Sequence, residues 1–158
     1  MIAFAFHGSA RVGIAAAAIA LAGCSGAGAA DTATDTAATP GQIDTLPLER
    51  GYYVRTDDTC ATASGATTAL LRREGLFWGG SFCRFAGIEQ TGPTTFRVQQ
   101  ACGDHHGAPE PTPAEWVITD RTSFSLRDSE GWEHAARLCA QQDMPVHFRD
   151  TDIAELIR

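Results

Sequence analysis

Cys83-Arg84-Phe85-Ala86-Gly87-Ile88-Glu89-Gln90-Thr91-Gly92-Pro93-Thr94-Thr95-Phe96-Arg97-Val98-Gln99-Gln100-Ala101-Cys102 reads as two β-strands folded about a turn. Aromatic and β-branched residues occupy both arms, and Gly92-Pro93 punctuates them. A turn centred between Gly92 and Pro93 sets Cys83 directly opposite Cys102. Opposed residues of an antiparallel pair hold their Cβ atoms about 4.5 to 5.5 Å apart, within adjustment of a disulfide. We therefore expect Cys83 to bond Cys102 and, by elimination, Cys60 to bond Cys139. Four cysteines allow three connectivities, and a one-residue change in the turn would misalign the first pair.

Outward from this hairpin the pattern stays β. Gly51-Tyr52-Tyr53-Val54-Arg55 and Thr67 to Arg73 are strand candidates, and the second turns at Glu74-Gly75 into Leu76-Phe77-Trp78. On the other side, a three-residue loop Asp120-Arg121-Thr122 sets Ile118 against Phe124 and Trp116 against Leu126, all facing one core. Trp132 to Cys139 fits both a strand and a helical stripe; the β order before it and the turn Asp128-Ser129-Glu130-Gly131 favour a strand. Asp152 and Glu155 form a capping-box pattern ahead of Leu156 and Ile157, which predicts a short C-terminal helix after an extended stretch around Pro145. The expected fold is mainly β: a small antiparallel meander closed into a barrel, or a two-layer sandwich, with that short helix. One disulfide-stapled domain is expected over residues 47–158.

The N-terminal part has a different character. Residues 1–23 carry no acidic residue and one Arg, Arg11, before the apolar run Val12 to Ala22. That run is shorter than the roughly 18 to 20 residues that cross a bilayer, so it reads as a cleaved signal peptide. Leu21-Ala22-Gly23-Cys24 has the form of a bacterial lipobox, and Cys24 is the expected lipidation site. Acylation of Cys24 also accounts for the odd count of five cysteines, leaving an even set suited to two disulfides in an oxidising compartment. Residues 24–46 then form the lipidated Cys and a flexible linker, poor in large apolar side chains. Ser25, rather than Asp, after the Cys favours the outer membrane, facing the periplasm.

Composition narrows the partners. The chain carries 12 basic and 19 acidic residues, a net charge of -7. A negative surface repels phosphate, so no nucleic-acid partner is expected. Every basic residue is Arg, which excludes a lysine nucleophile or Schiff base.

Reactive constellations are thin. Asp104, His105 and His106 follow Cys102 at a spacing that could seat a metal, and they carry the alternative reading of a metal-dependent activity. With Cys102 oxidised, adjacent histidines on a Gly-flanked loop read as solvated, and no cofactor is expected. Glu130 and Glu133 read as solvent-facing turn residues, and His134 and His147 as packing residues beside apolar runs. Trp78, Trp116 and Trp132 are assigned to core packing, with a ligand-binding aromatic wall as the alternative. The chain contains no Gly-x-Ser-x-Gly elbow, phosphate loop or His-Glu-x-x-His motif.

The set Gly51-Tyr52-Tyr53-Val54, Ile88 to Val98, Ala101-Cys102, Gly131-Trp132 and Ala136-Arg137-Leu138-Cys139 resembles an uncharacterised family of small Gram-negative bacterial lipoproteins, over roughly residues 48–158. The resemblance implies a compartment and a β fold and brings no catalytic residue. A weaker likeness is to the membrane-bound inhibitors of C-type lysozyme, which insert a Ser/Gly-rich loop into the lysozyme cleft. Ser64-Gly65-Ala66 is the local echo of that loop, while the family's functional lysine has no counterpart. The function expected from all this is a lipid-anchored cell-envelope module without enzymatic activity. It would be held to the membrane by its lipid and would bind an envelope protein or a small ligand.

Overall fold

The structure is a computed structural model that describes residues 41–104 and 106–158. The expected signal peptide, the lipidation site Cys24, most of the linker and His105 lie outside the described residues. Ten strands form one antiparallel sheet: β1 Gly41–Ile43, β2 Gly51–Arg55, β3 Thr68–Arg72, β4 Gly75–Phe77, β5 Ser81–Gln90, β6 Thr95–Asp104, β7 Glu110–Pro111, β8 Ala114–Asp120, β9 Ser123–Asp128 and β10 Glu133–Leu138. Eight of them, β2 to β6 and β8 to β10, pair in chain order and close when β10 pairs with β2. The fold is thus an up-and-down barrel, the first of the two expected architectures, and closure leaves these strands no free edge. The short strands β1 and β7 extend the outer edges of β5 and β6.

The long hairpin β5–β6 is the spine of this closure. Cys83 pairs with Cys102, and their sulfurs are bonded with Cα atoms 4.0 Å apart. The expected register holds at the cysteines for a reason the turn alone does not supply. Nearer the turn, Ile88 pairs with Val98 and Gln90 with Phe96, one residue out of step. A bulge at Ala86 absorbs the extra residue before Phe85 pairs with Gln100. Such bulges bend a strand and re-aim its side chains. Without it, Cys83 would face Gly103.

Alternating residues of the eight barrel strands fill the interior. Tyr53, Leu71, Leu76, Ile88, Phe96, Val98, Trp116, Phe124 and Leu126 belong to one buried cluster. Trp116 pairs with Leu126 as expected. An irregularity between Val117 and Asp120 takes Ile118 out of the ladder with Phe124, though both stay buried, and Ile118 N–H donates to Thr94 O instead. One end of the barrel is shut. Leu46 and Leu48 are buried there, Glu49 N–H donates to Arg121 O, and Tyr53 Oη donates to Glu49 O at 2.8 Å. The folded chain therefore starts ahead of position 47: Gly41–Ile43 pairs with β5, and Leu46 packs into the core. The residues before Ile43 hold no large apolar side chain, and the pairing of Gly41–Ile43 depends on a strand edge distant in sequence.

Strand β2 is buried on both faces. Tyr53 points inward, while Tyr52 and Val54 face a second cluster outside the barrel with Ala63, Leu70, Met144, Ile153 and Cys139. That cluster is stapled by the Cys60–Cys139 disulfide, Cα atoms 5.7 Å apart. The C-terminal helix covers it, but the helix is Val146–Arg149, not the Asp152–Ile157 stretch expected. Pro145 starts it, consistent with its fixed φ. Asp152 instead accepts from Ala154 N–H in a local turn, and Ile153 is buried singly. Asp competes for backbone donors in this way whenever packing does not favour a continuous helix.

Two stability measurements test this account. In the chain-entropy model, Cys83–Cys102 contributes about 3 kcal/mol and Cys60–Cys139 about 4.5 kcal/mol. Paired Cys→Ala melting curves should rank the second as the more costly loss, and a non-reduced digest should show these two bridges alone. Gly75 sits at φ +154°, and a Cβ there would lie 2.1 Å from Cys83 O. Gly75→Ala should accordingly cost about 2 kcal/mol or more in denaturant titration, since the clash is with backbone that cannot swing away.

Candidate functional site

The end of the barrel opposite Leu46 and Leu48 is open. The β2–β3, β4–β5, β6–β8 and β9–β10 connections surround it, and a cavity of about 830 Å³ descends between them. Its lower wall is built from inward residues of five strands: Leu76, the Cys83–Cys102 disulfide, Gln100, Trp116 and Leu126. The loops pack against one another without closing the mouth. Arg137 reaches from β10 to donate to Thr56 O and Asp58 O, which pins the β2–β3 loop.

Polar atoms in this interior lack partners. Gln100 is 6% exposed, and its Oε1 accepts no hydrogen bond among the described residues; its Nε2 reaches only Cys102 Sγ, at 3.5 Å. Trp116 is fully buried, and its Nε1–H donates to nothing described. An unsatisfied buried donor or acceptor costs about 1 to 3 kcal/mol, so two beside one cavity are a feature to explain.

An aromatic corner stands at the mouth. Trp78 and Trp132 meet with ring centroids 6.0 Å apart at 73°, and Trp132 stacks on His134 at 5.2 Å. Both indoles line the cavity, and Trp132 is 47% exposed. Trp116 packs in the core as expected and Trp78, partly buried, packs against it, whereas Trp132 stands outside it. Trp78 and Trp132 form a wall because the short connection Gly79-Gly80 and the turn before β10 carry them past the last inward layer. The same two rings also border a second, larger groove of about 960 Å³ on the flank of the barrel, lined by Arg55, Asp57, Arg127, Glu133 and His134.

His134 is buried as expected of a packing residue, with Nε2 unpartnered among the described residues. Burial pushes its pKa below the ordinary value, Arg55 adds to the effect, and Asp57 opposes it. His147 is exposed on the helix beside the Phe148 ring, so it does not pack in the core. Glu133 pairs with Arg127 on the outer face, whereas Glu130 lines the mouth.

Of the Asp104, His105 and His106 set, Asp104 lines the cavity, and His105 lies outside the described residues. Cys102 is bonded to Cys83 and so is not a thiolate ligand, and Asp104 Oδ1 accepts from His106 N–H at 2.8 Å. Among the described residues, no three His, Cys, Asp or Glu side chains gather to hold a metal ion. Gly65 and Ala66 line the cavity, and Ser64 N–H donates to Thr67 Oγ1 in a local turn.

Gln100 was not singled out in the sequence, yet a signal for it exists. It follows Phe96 and Val98 and precedes Cys102 at period two, a lone amide on an otherwise apolar inward face. Fold and site together define an eight-stranded up-and-down barrel with one closed end and one open, aromatic mouth. No family model, no curated protein and no solved structure shows a significant match to this chain.

Neutral His134 sets a pH dependence. Its folded pKa lies below the ordinary 6.5, so the unfolded chain binds the proton first as pH falls. The stability from keeping it neutral is complete above pH 6.5 and declines below it, by at most about 1.4 kcal/mol per pH unit. Melting temperature should drop from pH 6.5 downward, and His134→Phe should flatten that drop while leaving the separate loss below pH 3.8, where Asp57 and Asp120 take up protons.

Proposed function

We propose that this chain is a lipid-anchored cell-envelope protein, tethered through Cys24 to the outer membrane on its periplasmic side, and that it works as a non-enzymatic binding module. Its ligand is a small molecule held in the mouth of the barrel. The observation that carries this reading is the open cavity of about 830 Å³ among the mouth loops, with Leu76, Trp78, Leu126 and Trp132 on its walls. Gln100 Oε1 and Trp116 Nε1 lie buried behind that wall without described partners, a local cost that marks this end of the barrel as kept for something other than stability.

An eight-stranded barrel has an interior that its own side chains fill, with room left for at most one small ligand. Here the closed end takes the filling and the open end keeps the space. Two disulfides and a sealed core make such a module durable outside the cytoplasm. The lipobox supports the placement, and the linker after Cys24 supplies reach from the membrane.

Two measurements test the reading. Gln100→Leu should raise the stability of the ligand-free domain by about 1 kcal/mol, because it removes an unsatisfied buried amide from a site kept for function. The same change should abolish the thermal shift produced by compounds extracted from the envelope. A Gln100→Leu domain that still responds to every compound the parent protein responds to would place the ligand elsewhere. Cys24→Ser should eliminate lipid labelling and release the domain to the soluble periplasmic fraction; continued membrane fractionation would count against the anchor.

A further inference from the structure

We propose that the groove on the flank of the barrel binds a neutral saccharide, with one sugar ring stacked on the exposed face of Trp132. The groove is separate from the mouth cavity, although Trp78 and Trp132 border both, and the assignment stands whether or not the mouth holds a ligand. Trp132 is 47% exposed but firmly held. Its ring lies at 9° to that of His134 with centroids 5.2 Å apart, and His134 sits in turn 6.0 Å from Phe124 of the core. The turn that carries the indole is fixed as well. Asp128 Oδ1 accepts from the backbone N–H groups of Glu130 and Trp132 at 2.9 and 2.8 Å, and Asp128 N–H donates to Trp132 O. Trp78 stands at 73° to both stacked rings, 6.0 Å from Trp132 and 6.3 Å from His134. A ring over the outer face of Trp132 would be much nearer to it than to His134. Trp78 therefore flanks the stack, and neither ring covers the face of Trp132 turned away from His134.

The surroundings of the indole select the ligand. Val117, Ser125 and Ala135, outward residues paired across β8, β9 and β10, line the groove with it. Around them stand Arg55 paired with Asp57, Arg127 paired with Glu133, and Glu115. Each pair presents N–H donors beside carboxylate acceptors with no net charge. The mouth differs, for its carboxylates Asp104, Glu110, Asp128 and Glu130 are in no ion pair among the described residues. A flat ring already fixed in place costs little further ordering when it is covered, and the negative face of an indole favours polarised C–H groups. A pyranose carries such C–H groups on one face and hydroxyls around its rim, each of which both donates and accepts. It can thus cover the indole while its hydroxyls satisfy Arg and carboxylate groups together. A proline-rich peptide also stacks on indoles, but proline has no N–H, so Asp57, Glu115 and Glu133 would lose water without gaining a donor. A charged ligand of either sign would meet a repelling member in each pair.

Maltotriose, cellotriose and chitotriose probe the groove, with decaproline as the peptide alternative. Calorimetric titration of the full mature protein should show at least one of the three sugars binding with a Kd of about 1 mM or tighter, and that affinity should change little as salt rises. Trp132→Ala should weaken it about tenfold or more, while Trp132→Phe, which keeps a flat ring, should retain most of it. Melting curves of both variants establish that the barrel is intact. The exposed double variant Asp57→Asn, Glu133→Gln leaves the core untouched and should lose about fivefold, an independent check on the hydrogen-bonding part of the site. Gln100→Leu, inside the barrel, should leave sugar affinity unchanged, so this assignment and the mouth reading are judged separately. No binding of any of the three sugars at about 10 mM would overturn the assignment. So would full affinity in a folded Trp132→Ala or in the double variant, or binding of decaproline in place of the sugars.

Discussion

The register of the β5–β6 hairpin is the constraint on which the rest of the molecule depends. β5 and β6 are the longest strands, and between them they pair with β4, β1, β8 and β7. A slip of one residue would turn every inward side chain of the hairpin outward. Ala86 allows two registers to coexist: one suits the turn around Gly92-Pro93, the other places Cys83 opposite Cys102. The disulfide then locks the second register, and its sulfurs become part of the wall of the open mouth. The bridge that holds the barrel's spine therefore also shapes the site.

A second constraint concerns β2, whose two faces serve two cores. Tyr53 fills the barrel while Tyr52 and Val54 hold the C-terminal segment against its outside. Burying both faces of one strand places Gly51 to Val54 among the most protected parts of the chain. The Cys60–Cys139 bridge joins the loop after β2 to the end of β10, the strand that closes the barrel on β2. Closure and outer cover are thus secured at one place. The mouth loops are relieved of that task and can present unpaired polar groups.

This division explains how a small domain tolerates buried polar atoms without described partners. Leu46 and Leu48 seal one end with apolar surface and backbone hydrogen bonds, so the core's stability does not rest on the mouth. At the mouth the balance runs the other way. Gln100, Trp116 and His134 give up hydrogen bonding, and four carboxylates stand without ion pairs among the described residues. Proteins commonly carry such local costs where function needs a pre-formed site.

Local sequence was sufficient for much of the barrel. Period-two alternation in Phe96, Val98, Gln100 and Cys102 and the punctuation at Gly92-Pro93 and Glu74-Gly75 determined most strands and the meander, because these signals are short-range, whereas the disulfide register pointed to by the cysteine spacing was set by the bulge at Ala86. The barrel rather than the sandwich was decided by the β10–β2 pairing, which joins residues some eighty positions apart and leaves no local trace. Tertiary packing also moved the C-terminal helix to Val146–Arg149, since the outer face of β2 rewards Met144 and Phe148 more than a capping box rewards Asp152. The mouth belongs to the same class of outcome. Its parts lie on five strands and four connections, and Trp78 looks in sequence like any core tryptophan. Only closure of the barrel brings the indoles, the carboxylates and the lone inward amide around one space.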